Sequence, residues 1–171
     1  MAKLKQWLLP VPVLLLLFLL DGTVTSTFYD QLFINPGLMF PRLLFIGLIY
    51  YAFRLPSKQV VIYAGIFGLL KDSYYVGILG IYLTAYIITT YLASIIKKQI
   101  DINVLTIGLA LIILLAVFEL IVYMIYFVIG YAQLSVSEFI VLRYAPTLLF
   151  NMFAYFISYY LLKVSANEAL R

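Results

Sequence analysis

Apolar residues along this chain run in long blocks, with polar residues gathered in the short gaps between them. A membrane-crossing helix needs about 20 mostly apolar residues. The blocks predict six helical spans, over residues 6–21, 39–54, 59–72, 77–96, 103–130 and 139–163. The longest connection runs from Asp21 to Pro41, so the expectation is one membrane domain over residues 1–171 with no soluble domain. The first block follows Lys3 and Lys5 and is Leu-rich, as in a signal peptide. No A-x-A pattern closes it and further spans follow, so it is expected to stay as an uncleaved first span.

Composition narrows the class further. Hydrophobic residues make up 66% of the 171 and charged residues 11%, with mean hydropathy +1.12. A soluble domain holds about 25% charged residues, so a soluble globular or disordered chain is excluded. Cysteine is absent, which removes disulfides, thiolate metal sites and a lipoprotein anchor. Histidine is absent too, which removes Ser-His-Asp triads, HExxH zinc sites and imidazole shuttles. No cofactor or metal is expected. The net charge of +4 is small and gives no reason to expect nucleic acid.

The basic residues flank the blocks and serve instead as an orientation signal. With the N-terminus inside, eight fall on the cytoplasmic side: Lys3, Lys5, Arg54, Lys58, Lys97, Lys98, Lys163 and Arg171. Three fall outside: Arg42, Lys71 and Arg143. The expected topology therefore has both termini in the cytoplasm. Tyrosines support the span ends, with Tyr50, Tyr51, Tyr91, Tyr159 and Tyr160 at the inner edge and Tyr74, Tyr75, Tyr131 and Tyr144 at the outer.

Some residues break the pattern. Gln59–Leu70 covers only about 18 Å of a core about 30 Å thick. Either the third helix ends early, or it continues through Lys71-Asp72 and carries those charges to depth. A tight outer hairpin with snorkelling charges is the simpler alternative. Gly65, Gly68, Gly77 and Gly80 surround the break, and Ala85, Thr89 and Ala93 follow at spacing four. Small residues let helices approach closely, either within the chain or against a partner's helix. Asp21, Asp72, Glu119 and Asn151 are candidate buried polar residues. Glu119 is the one acid well inside a long span, at a depth similar to Asn151, so a Glu119–Asn151 hydrogen bond is expected, with Glu119 protonated. Pro146 is expected to kink the last span.

Taken together, the Leu-rich first span ending in Asp21, the stretch Gly65-Ile66-Phe67-Gly68-Leu69-Leu70-Lys71-Asp72 with Gly77-Ile78-Leu79-Gly80, and Pro146-Thr147-Leu148-Leu149-Phe150-Asn151 resemble the rod shape-determining protein MreD family over nearly the whole length. The resemblance implies an all-α integral membrane protein, a six-helix polytopic bundle similar to the S-component fold of energy-coupling-factor transporters. It implies a non-enzymatic scaffold of the bacterial elongation machinery, in the cytoplasmic membrane. The implied partners are an MreC-like bitopic protein, MreB filaments, a RodA-type glycosyltransferase and a class B penicillin-binding protein, with membrane lipids around them. The expected groove for a partner's helix lies at Gly65, Gly68, Gly77 and Gly80. The alternative reading is a substrate-binding subunit of an energy-coupling-factor vitamin transporter. A membrane enzyme acting on lipids would need convergent acids or metal ligands, and the acids here are scattered.

Overall fold

The computed structural model describes residues 6–28, 39–131 and 135–170. These residues are mostly helical, with no strand among them. The six main helices are α1 (Pro10–Thr27), α2 (Leu43–Arg54), α3 (Ser57–Lys71), α4 (Ile81–Ile96), α5 (Val104–Val128) and α6 (Ala145–Leu170). A π-helical segment, Asp72–Val76, continues α3, and a second, Phe139–Tyr144, leads into α6.

The helices form a ring of five around a centre. α1 touches α3, α3 touches α4, α4 touches α5, α5 touches α6, and α6 returns to α1. The short helix α2 packs against all five. Its sequence, LLFIGLIYYAFR, is apolar on every side, and each residue from Leu44 to Phe53 is buried. A helix hydrophobic all round belongs in an interior. Gly47 sets the fit: a Cβ there would stand 2.5 Å from Leu17 Cδ1 of α1.

Three helical stretches are long and apolar enough to cross a membrane by length and composition: Gln6–Thr27, Val104–Val128 and Val136–Leu170. α2 and α4 are apolar but only 12 and 16 residues long. α3 does not stop at Leu70. It runs through Lys71 into the π segment and ends at Gly77, whose φ of 75° reverses the chain. The charged pair Lys71-Asp72 is therefore carried inside the bundle, and both residues are buried.

In the α3–α4 seam the chain uses Gly65 and Gly68 for its own close approach. A Cβ on Gly68 would meet Leu83 Cα, a backbone atom, at 2.6 Å. Ala85, Thr89 and Ala93 are fully buried within the chain. Gly65 faces Ile87 across the same seam. Gly77 and Gly80 have nothing within 4 Å of an added Cβ; their φ values of 75° and 106° show that they serve the turn. At Gly68 the close approach is spent on this chain's own hairpin, so a leucine there would act first on the fold. The boundary tyrosines differ in burial. Tyr50 and Tyr51 are fully buried in α2, whereas Tyr74, Tyr75, Tyr91, Tyr131 and Tyr160 are exposed.

Candidate functional site

The first N–H groups of any helix lack intrahelical partners. In a bilayer there is no water to satisfy them. At the start of α2 the residue in the cap position, Arg42, makes no side-chain cap. Asp21 of α1 supplies it: Leu43 N donates to Asp21 Oδ1 at 2.6 Å, and Leu44 N to Oδ2 at 3.4 Å. α6 ties down the extended residues just before. Arg42 N donates to Asn151 Oδ1 at 2.7 Å, Asn151 Nδ2 donates to Phe40 O at 2.8 Å, and Phe40 N donates to Thr147 Oγ1 at 3.1 Å. Thr147 and Asn151 stand four apart, on one helix face.

The start of α4 repeats the device. Gly80 in the cap position has no side chain to offer, and Asp72 reaches across the turn. Its carboxylate accepts from Gly80 N at 2.8 Å, Tyr82 N at 2.9 Å and Leu83 N at 3.2 Å. A carboxylate at a helix N-terminus also complements the macrodipole.

Between these two caps lies a chain of ion pairs. Arg42 Nε meets Glu119 Oε1 at 2.6 Å, and Arg143 Nε meets Glu119 Oε2 at 3.1 Å. Lys71 Nζ meets Asp21 Oδ2 at 3.5 Å. Arg42 Nη1 also donates to the Tyr82 hydroxyl at 3.1 Å. Aromatic faces enclose the guanidiniums: Arg42 lies 5.1 Å from the Phe40 ring and 5.4 Å from Phe118, and Arg143 lies 4.8 Å from Phe40. The π segment before Pro146 carries Arg143 to this position, and the proline sits at the top of an unbroken α6 rather than kinking its middle.

Asp21, Asp72, Glu119 and Asn151 are thus all fully buried at one end of α2. The expected Glu119–Asn151 hydrogen bond is not made. Each binds a different part of Arg42, Asn151 its backbone N–H and Glu119 its guanidinium. Glu119 instead lies between two guanidiniums, those of Arg42 and Arg143. Arg42, Arg143 and Thr147 are members that sequence reasoning does not single out, and Lys71 enters it only as a charge carried to depth with Asp72. A signal for three of these four was present: they are the three basic residues that the orientation count sets apart from the other eight.

The opposite end of α2 is closed by Lys97, whose Nζ donates to Ala52 O at 2.9 Å and Leu55 O at 2.6 Å. Burial, and then the neighbouring Lys98, hold this ammonium below the ordinary lysine range. A carboxylate thus sits at the N-terminus of the central helix and an ammonium at its C-terminus, as the dipole favours. Chemically, the arrangement fixes helix ends and positions cations. Among the described residues no cluster of three acids could hold a metal ion.

Three comparisons bear on this arrangement. A family model described as rod shape-determining protein MreD matches residues 1–164. The rod shape-determining protein MreD of Bacillus subtilis (strain 168) is 29% identical over 150 residues, covering 88% of this chain and 87% of that protein. No solved structure matches.

Proposed function

Because the chain belongs to the rod shape-determining protein MreD family, we propose that it is a non-enzymatic membrane scaffold of the bacterial cell-wall elongation complex. In this reading it binds an MreC-like bitopic protein and supports lateral peptidoglycan synthesis. MreB filaments, a RodA-type glycosyltransferase and a class B penicillin-binding protein act in the same complex. The observation that carries the reading is the family match over residues 1–164. The chemistry of the buried acids supports it. Asp21 and Asp72 are spent on helix starts and Glu119 on two guanidiniums, which leaves them as structural groups rather than acids or bases for turnover.

The chain crosses the cytoplasmic membrane several times with both termini in the cytoplasm. In support, all three basic residues of the outer side, Arg42, Lys71 and Arg143, are held in ion pairs inside the bundle. They therefore do not oppose the cytoplasmic bias of the rest. A partner's transmembrane helix seats on the outward faces of the ring helices, since the small residues of the α3–α4 seam are covered.

Mild-detergent copurification from native cells, with bound proteins identified by mass spectrometry, tests this. Recovery of an MreC-like protein together with wall synthases is the expected outcome. The polar cavity beside Arg42 favours one second reading, a substrate-binding subunit of an energy-coupling-factor vitamin transporter. Recovery of a membrane coupling subunit with paired ATPases would put that reading in its place.

A further inference from the structure

A cavity of about 240 Å³ opens beside the start of α2, walled by Asp21, Arg42, Lys71, Tyr75, Tyr82 and Tyr126 among others. A neighbouring cavity of about 340 Å³ shares Phe40, Tyr82 and Tyr126 with it and adds Arg143. Three cations and one carboxylate therefore line the pair. Glu119 is fully buried and lines neither.

The walls hold hydrogen-bond donors with nothing to donate to. Arg42 is only 3% exposed. Its Nε and Nη1 are engaged by Glu119 and Tyr82, but Nη2 is buried with no partner. A buried charged donor left unmade is costly. The Tyr82 hydroxyl accepts from Arg42 and keeps its own proton to give. Lys71 carries three donors. It is held at 3.5 Å by one Asp21 oxygen, longer than the about 2.7–2.9 Å of a strong charge-assisted bond. Asp21, the one carboxylate on the wall, already accepts from Leu43 N and Leu44 N. What the cavity lacks is an anionic acceptor.

We propose that this cavity binds a phosphate group, received by Arg42 Nη2, Lys71 Nζ and the Tyr82 hydroxyl. The phosphate belongs to an anionic lipid headgroup of the phosphatidylglycerol kind or arrives as the free ion. Tyr75 forms the yielding wall. Its ring lies 4.8 Å from Lys71 Nζ and is half exposed, and its hydroxyl rests on Gly22, where an added Cβ would displace it. The site does not depend on the scaffold reading, and recovery of an MreC-like protein leaves it untouched.

The test uses the full chain, delipidated in detergent. Phosphatidylglycerol, phosphatidylcholine and inorganic phosphate are added separately, with native mass spectrometry reading adducts and thermal unfolding reading stabilisation. One retained phosphatidylglycerol per chain, with little phosphatidylcholine, is expected if the source is a lipid. Saturable stabilisation by phosphate alone, with no lipid adduct, identifies the free ion. In either case Lys71→Met weakens binding about tenfold and Tyr82→Phe, which leaves every ion pair intact, weakens it about threefold. The proposal is overturned if wild-type protein retains neither probe. It is also overturned if phosphatidylcholine is retained equally, or if folded Tyr82→Phe and Lys71→Met bind as tightly as wild type.

Discussion

Helices α2 and α5 touch each other, yet they begin by opposite means. At α5, Asn103 accepts from Leu105 N and Thr106 N, both at 2.9 Å, while Asn103 N donates to Thr106 Oγ1 at 3.0 Å. Four consecutive residues close that end themselves, as a capping box. At α2, the same need is met by Asp21, 22 positions earlier, and by Asn151, 109 positions later. α5 is 25 residues long and turns Leu105, Leu109 and Ile113 outward. α2 is 12 residues long and turns nothing outward between Leu44 and Phe53. A long self-capped helix is a local product of its sequence. A short helix capped by its neighbours is a product of the whole fold, so its stability should respond to changes far away in the chain.

Substitution at the link between the two helices should break this contrast most severely. Glu119→Ala leaves Arg42 buried without its counter-ion and is expected to cost about 3–5 kcal/mol, read as loss of the folded peak on detergent gel filtration or as an earlier transition on SDS titration followed by circular dichroism. A Glu119→Met, Arg42→Met double variant should regain part of that loss, because apolar groups of similar size replace a buried pair well while Arg143 still lacks its partner. If the double variant unfolds as readily as the single one, the pair is not the reason. Asp21→Ala comes next, at about 3 kcal/mol on the same titration, since it strips two N–H groups and the Lys71 ammonium of their acceptor. Asp21→Asn should restore part of it, through an amide oxygen still able to accept from Leu43 N. Lys97→Met opens the other end of α2 and is expected to cost about 1–2 kcal/mol. Asn103→Ala should cost least, about 1 kcal/mol, because its cap is local and exposed. An Asn103→Ala effect equal to that of Asp21→Ala would erase the distinction between the two helix starts.

The sequence makes the local half of this picture readable. Six apolar blocks announce six helices. The position of α2 at the centre is not readable in the same way. Lipid tails are as apolar as leucine, so hydrophobicity does not separate a face that meets lipid from one that meets protein. The stripe Ala85, Thr89, Ala93 says that something comes close, but not which neighbour it is. The ion pairs join residues 77, 50 and 24 positions apart, beyond any local pattern. Their only trace is a balance: three basic residues set apart by the orientation count, matched by the acids Asp21 and Glu119.

The borrowed cap of α2 also has a consequence in time. A ribosome delivers the chain from its N-terminus, at about 5–20 residues per second. Arg42 therefore precedes Asn151 into the membrane by roughly 5–20 s. During that interval Asp21 is already present, but the N–H of Arg42 and the carbonyl of Phe40 have no counterpart, and α2 alone spans only about 18 Å. The nascent protein must hold this segment in a sheltered or water-accessible place until its last helix arrives. Ribosome-bound chains arrested before Thr147 should therefore remain open to insertion factors and proteases, and the final helix acts as the latch that completes biosynthesis.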